Sequence, residues 1–357
     1  MFSFLVPIGT VLFVLTSMEI VLHFLPVSSG VRAVTVTSDN PVFHFTPNRA
    51  FLHSLGWDMH NINRGHINNA GFVNDYDYHR DDPLSLLAVV GDSYIEARMV
   101  PFADTVQGRL SRMLNGRSRV YSFAAAGAPL SQYLIWAQHA VRAYGASTLV
   151  INIVGNDFDE SLITYKAMPG FWHYAPDELG ELRLRLVEHR PGWVKELARE
   201  SALARYIVMN LKLHEVMNVW IFSAPAKAAP RYAGNTDADA NAARVNASRA
   251  VIDAFFRDLP GMTGLPPESV LFTLDGFRYP HAAQAGRGTY FDLMRRAFLE
   301  KARGLGYEVI DLDDRFIPSH LRSGERFEFP DDGHWSGIGH GVAAEAVASS
   351  QTLTKLQ

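Results

Sequence analysis

The pattern of apolar and polar positions divides the chain into three stretches. Residues 2–26 are almost continuously apolar: no charge falls between Phe2 and Met18, and Glu19 and His23 are the ionisable groups that follow. At 1.5 Å per residue, a helix of this length reaches across roughly 30 Å of hydrocarbon. Glu19 and His23 stand four apart on one helical face near the end of the span, where they reach an interface or pair with each other. The stretch is longer than a usual signal-peptide core and no small-x-small site follows immediately, so it reads as an uncleaved anchor. A cleaved signal and a buried helix are the alternatives. No Lys or Arg precedes it while Arg32 and Arg49 follow, an arrangement that does not favour export of the rest by the positive-inside rule.

Residues 27–80 are rich in Asn, His, Gly and aromatics with little helical period, which predicts an extended, irregular segment packed on the main domain. From Leu86 the pattern becomes strand–helix alternation. The run 86–90 (LLAVV) has neither alternation nor charge, as a strand buried on both faces requires. Further strands are expected at 119–124, 148–154, 270–274 and 308–312. Between the first two, 104–115 reads as an amphipathic helix with Val106, Leu110, Met113 and Leu114 on one face and Gly116 as its stop. Another helix is expected at 131–144. Such alternation implies a parallel sheet with right-handed crossovers.

The stretch 159–267 is too long for a simple crossover and reads as a helical insertion beside one edge of the sheet. Helical period covers 193–213 and 238–259, with an Ala/Asn/Asp-rich connector at 227–242. Extra packing helices and a substrate-shaping lid are both open readings. The chain thus divides into an anchor or signal (1–26), an extended segment (27–80) and an α/β domain (81–357).

Composition narrows the function classes. The 357 residues are 48% hydrophobic with a net charge of −4, and Lys and Arg are scattered, so nothing draws nucleic acid. The absence of cysteine excludes disulfides, cysteine catalysis and thiolate metal sites. His53, His60, His66 and His139 show no metal-ligand spacing. A flavin or nucleotide binder is disfavoured, because no GxGxxG follows the first strand and no P-loop lysine is present.

Four short blocks carry candidate chemistry. Gly91-Asp92-Ser93 ends the first strand, Gly127 follows the second, and Gly155-Asn156-Asp157 follows the third. A parallel sheet brings the carboxyl ends of its strands to one edge. Near the C-terminus comes Asp331-Asp332-Gly333-His334-Trp335. Ser93 supplies a hydroxyl nucleophile, His334 a base, and an adjacent carboxylate the group that orients the imidazole. The backbone N–H groups of Ser93 and Gly127, with the Asn156 amide, suit an oxyanion hole. Each block also has a plainer reading: Ser93 as a helix N-cap, Asn156 as a turn residue, Asp92 as a loop brace and His340 as a packing or capping residue.

Together these blocks resemble the SGNH/GDSL hydrolases, with Ser93, Gly127, Asn156 and His334 in the family's order. The resemblance runs from about Asn69 to Ala348 and takes in the Asn69-Ala70-Gly71-Phe72 stretch that precedes the first block in membrane-anchored members. It implies a three-layer α/β/α, flavodoxin-like fold and ester hydrolysis or acyl transfer without a cofactor. The chain departs from the pattern at Ser122, where relatives often carry Asn. Asp331 has the DxxH spacing of small esterases. Asp332 has the DxH spacing, followed by Trp335, of the branch that acts on acetylated polysaccharides, and the Gly339-His340 context favours it. That branch implies an acylated carbohydrate or small ester as substrate and polysaccharide-assembly proteins as partners; the rings of Trp335, Phe327 and Phe329 can stack on a sugar or equally belong to the core. It also implies a single-pass inner-membrane protein with its catalytic domain on the periplasmic side. The rival from another class is a non-catalytic subunit that keeps the fold.

Overall fold

A computed structural model of the protein describes residues 2–213 and 238–355. Helix α1 (Phe2–His23) leaves most of its described side chains exposed and meets the domain near its C-terminal end, and its stretch Val6–His23 is long and apolar enough to cross a membrane. The expected irregular segment contains an antiparallel hairpin, β1 (Arg49–Leu55) with β2 (His60–Ile67). Its Arg, His and Asn side chains hide the strand pattern, because only a minority of its positions are buried.

The domain is built on β3 (Leu86–Gly91), β4 (Arg119–Ala124), β5 (Ala146–Ile153), β8 (Val270–Leu274) and β9 (Glu308–Asp311). These pair in parallel in the order β4-β3-β5-β8-β9. That is the flavodoxin-like order, whose switch point lies between β3 and β5. Alternate side chains of β3 enter different cores. Leu86, Ala88 and Val90 join the cluster containing Trp136, Phe255 and Phe298, whereas Leu87 and Val89 join Leu110, Phe316 and Val347. The first cluster is supplied by α4 (Leu130–Tyr144), α7 (Ala242–Thr263) and α9 (Tyr290–Gly304). The second is supplied by α3 (Val106–Leu114), α10 (Asp313–Ser323) and α11 (Gly337–Ala348). Three layers result. Helix α3 ends at Asn115 in the left-handed conformation, one residue before the expected Gly116, and Met113 is exposed rather than on its buried face.

The long excursion after β5 is not purely helical. It holds a second hairpin, β6 (Trp172–Pro176) with β7 (Leu182–Leu186), then α5 (Trp193–Glu200) and α6 (Ala202–Arg205). The helix expected over 193–213 breaks at Ser201, whose hydroxyl caps α6 by accepting from the Ala204 N–H. Of the connector at 227–242, residues 227–237 lie outside the described residues. Helix α7 packs against α4 and α9 as part of the core layer.

The segment before β3 is riveted to the domain by aromatic rings. Trp136 of α4 is fully buried among Phe43, Phe72 and Phe171, and its Nε1 donates to the Phe43 carbonyl at 2.9 Å. Gly71, at φ +82°, makes the turn that drives Phe72 inward; a Cβ there would sit 2.3 Å from the Phe45 carbonyl oxygen. Replacing Trp136 by Ala is therefore expected to cost about 3–5 kcal/mol of stability. Trp136→Phe, which removes the donor to the Phe43 carbonyl and a smaller part of the buried ring, is expected to cost less, about 1–3 kcal/mol, read from thermal unfolding of the full chain in detergent.

Candidate active site

The strand β3 ends in Gly91, and the chain turns at once into the short helix α2 (Ser93–Glu96). Asp92, not Ser93, caps this helix: its Oδ1 accepts from the Tyr94 N–H at 2.9 Å. The capping work that a serine at this junction commonly does is thus taken by its neighbour, and the Ser93 hydroxyl is left for other partners. Burial pushes the Asp92 carboxyl up to about 6, against the pull of the Tyr94 N–H.

Ser93 Oγ lies 2.8 Å from His334 Nε2, and His334 Nδ1 lies 2.5 Å from Asp332 Oδ1. Asp332 Oδ1 also accepts from the His334 N–H at 3.1 Å, which closes the loop on itself. With Nδ1–H directed at a carboxylate, Nε2 carries the lone pair and faces the serine proton. Asp92 Oδ2 stands 3.1 Å from the same hydroxyl as a second acceptor. Burial alone would push the Asp332 carboxyl up; the hydrogen bonds and charge of His334 outweigh it and hold the group at about 2. Asp331 does not reach His334. It is half-exposed and pairs with His60 Nε2 of the β1–β2 hairpin, while His60 Nδ1 pairs with Asp58 Oδ1 at 2.6 Å.

Two further blocks meet this line. Gly127 follows β4 at φ +78°, and a Cβ there would press on Met168 Sδ at 3.1 Å. The preceding Ala126 N–H donates to Glu96 Oε2 at 2.6 Å, so the buried carboxylate at the end of α2 fixes the peptide chain entering Gly127. Asn156, after β5, directs its Nδ2 at Glu160 Oε2, 3.0 Å away, and Glu160 pairs with Lys166. One amide donor of Asn156 is therefore held by a carboxylate, which leaves its second N–H for a reacting oxygen. Lys166 Nζ also lies 3.5 Å from the Gly127 carbonyl, so the excursion after β5 ties the second and third blocks together.

Residues that the sequence pattern did not single out hold the histidine in place. Arg278, buried beyond the end of β8, donates to the Gly333 carbonyl at 2.7 Å and to the Tyr94 hydroxyl at 3.2 Å. Tyr94 donates to that same carbonyl at 3.1 Å. Trp335 Nε1 donates to the buried Asp275 Oδ1 at 3.0 Å. His334 thus sits between two pinned neighbours. Asp275 directly follows β8, so the rule that placed Ser93 at a strand's carboxyl end reaches it as well. Trp335 and Phe327 are buried in the core, and Phe329 packs toward Ala97, Met99 and Val100. The expected sugar-stacking surface is therefore not formed by Trp335 and Phe327. His340 is buried and accepts from the Val106 N–H at 3.2 Å, capping α3. Among the described residues no cluster of three or more His, Asp or Glu side chains is arranged to hold a metal.

No protein-family model matches the chain, and no curated protein matches it. Among solved structures it is similar to TesA, at 13% identity over 76% of this chain and 100% of that one, with a TM-score of 0.39. It is also similar to a lipase/acylhydrolase from Enterococcus faecalis (12% identity, 74% and 93% coverage, TM-score 0.37). A third is LAE5, an alpha/beta hydrolase enzyme from a Lake Arreo metagenome (13% identity, 76% and 96% coverage, TM-score 0.39). At these scores the matches carry no weight for activity, and the side-chain arrangement bears that reading.

Asp332 gives a stability signature with a definite sign. Its carboxyl titrates near 3.8 when free and near 2 when folded, so its contribution is complete above pH 4 and is lost as pH falls toward 2. The pH-dependent stability gap between the native protein and Asp332→Asn is expected to be about 2 kcal/mol at pH 5 and to close near pH 2. Unfolding curves of both proteins across that range measure it.

Proposed function

We propose that the protein is a serine esterase or O-acyltransferase acting on acyl esters. The observation that carries this reading is the continuous line from Ser93 Oγ through the His334 imidazole to Asp332. Ser93 Oγ attacks the ester carbonyl while His334 Nε2 takes its proton, and Asp332 steadies the imidazolium. The negative charge on the former carbonyl oxygen is met by the Ser93 and Gly127 N–H groups and by Asn156. The C–O bond to the alcohol then breaks, the alcohol leaves with the proton from Nε2, and the acyl group stays on Ser93. Water or a second hydroxyl, deprotonated by His334, takes the acyl group and restores the serine. Hydrolysis and transfer differ only in that acceptor.

The finer reading is an enzyme held in the inner membrane by α1, with its catalytic domain in the periplasm and an acetylated carbohydrate as substrate. What supports it is the one apolar helix of spanning length among the described residues and the Asp332-Gly333-His334-Trp335 pattern of the polysaccharide branch. The aromatic residues expected to stack on sugar add nothing, since Trp335 and Phe327 belong to the core.

The test is labelling by a fluorophosphonate together with turnover of p-nitrophenyl acetate, with and without sugar acceptors. Ser93→Ala and His334→Ala are expected to abolish turnover while the fold is kept; an active Ser93→Ala protein overturns the mechanism. Asp332→Asn is expected to cost about 10⁴-fold in rate, and Asp331→Asn to leave it nearly unchanged, because its partner His60 is exposed. Asn156→Ala is expected to lower kcat by about 10²–10³ with little change in KM. A change confined to KM assigns Asn156 to substrate binding instead.

A further inference from the structure

Helix α5 is built inside out for a helix at a water-exposed surface. Trp193, Val194 and Leu197 share one face and are 78%, 59% and 67% exposed, and no residue of the helix is buried. Part of its charge is held by the domain: Arg32 pairs with Glu200 and lies 3.5 Å from Glu196, and the half-buried Arg199 and Glu196 pair at 2.8 Å, while Lys195 and Glu200 stay exposed. An amphipathic helix that spends its polar face on its own domain needs an apolar medium on the other side.

The position of α5 names that medium. Where α5 hands over to α6, Ser201 Oγ and the Ala202 and Leu203 N–H groups all donate to Glu19 of α1, each at 2.8 Å. Glu19 stands four residues before the end of α1, about 6 Å along the axis. A 22-residue apolar helix spans about 33 Å, so its end lies at headgroup depth, and the C-terminal end of α5 lies beside it. Leu22 packs with Val27, Met59 and Ala202, which fixes the domain on the helix instead of hanging it from a linker. A cleft of about 470 Å³ opens at this foot, lined by Phe24, Leu25, Ile62, Arg64 and Arg205 among others. Neither arginine has a carboxylate within ion-pair distance among the described residues, and Arg205 Nε is buried without a partner.

We propose that α5 and this cleft form a seat on the bilayer. Helix α5 lies in the headgroup layer with Trp193, Val194 and Leu197 toward the acyl chains, and Arg64 and Arg205 take the phosphate of an anionic phospholipid. The inference rests on the reading of α1 as a membrane anchor.

The chain has no cysteine, so single labels can be placed without background. The full chain carrying Leu197→Cys, Val194→Cys, Val11→Cys or Leu179→Cys is labelled with bimane and reconstituted in phosphatidylcholine vesicles with and without phosphatidylglycerol. Labels at 194 and 197 are expected to be quenched by headgroup-level nitroxide lipids and shielded from iodide. The label at 179, on the exposed tip of the β6–β7 hairpin, is expected to do the reverse. Arg64→Gln with Arg205→Gln is expected to abolish any gain in lipid quenching at 197 that phosphatidylglycerol produces. Iodide quenching at 197 equal to that at 179 overturns the seat, as does shielding from iodide without lipid quenching, which means another part of the chain covers α5. An equal gain in the arginine variant overturns the phosphate assignment. The label at 11, about 18 Å from the headgroup end of α1, is read with acyl-chain nitroxide lipids and separates the two readings: without quenching by them, the anchor itself fails; with it, a failure at 197 belongs to the seat alone.

Discussion

The arrangement of the site depends on a guanidinium removed from water. Arg278 is almost wholly buried, and a buried charge persists only where hydrogen bonds and opposite charge replace its hydration. Here the replacements are the Gly333 carbonyl, the Tyr94 hydroxyl, and the carboxylates of Asp275 and Glu328. Because those groups belong to three different stretches of chain, satisfying one side chain sets the relative position of them all. Tyr94 adjoins the nucleophile, Gly333 adjoins the base, and Asp275 holds the indole of Trp335. The 2.8 Å approach of Ser93 to His334 is the geometric result. Tyr94 adds to it by packing its ring against both His334 and Trp335.

A second constraint comes from the sheet. Parallel strands buried on both faces leave little place for a charged side chain except at their ends, so the loops after β3, β4, β5 and β8 collect the chemistry. The carboxyls of Asp92 and Asp157 lie in this collection, and burial raises both, each aggravated or relieved by its neighbours. Asp157 accepts from the Val154 N–H and the Tyr133 hydroxyl, each at 2.8 Å, and so braces the turn that presents Asn156. Braces of this kind hold loop backbone in place without touching a substrate.

How much of this could be read from the amino-acid order varies with the kind of signal. The strands of the sheet were legible mainly as short apolar runs such as LLAVV that alternate with stretches of helical period. Ser93, Gly127 and Asn156 were legible because they sit where those runs stop, and Asp332 and His334 through the spacing of their own block. Asp332 could be set against Asp331 only by spacing and by the Trp335 and Gly339-His340 context, whereas the structure separates them by partner: one faces His334, the other His60. Arg278 was not legible, since a single arginine in a loop carries no period and its partners lie at positions 94, 275, 328 and 333. The break at Ser201 was hidden for a similar reason, its decisive acceptor being Glu19, 182 residues away. The β6–β7 hairpin is different. Leu182–Leu186 alternates perfectly as LRLRL, a period-two signal present in the sequence but set within a stretch that read as helical.

The packing at the foot of α1 has a consequence for reach. Leu22 shares an apolar cluster with Met59 in the turn of the hairpin; the next residue, His60, holds Asp331, and Asp331 is covalently joined to Asp332. A short chain of contacts therefore runs from the end of the apolar helix to the base of the proposed nucleophile. In a protein held by α1, the height of Ser93 above the lipid is a constant of the fold, where a flexible tether would let it sweep a volume. Held in that way, such a site would work as a gauge: an ester would be reached when its own carrier brought it to that height, and length would become a criterion of selection alongside shape and charge.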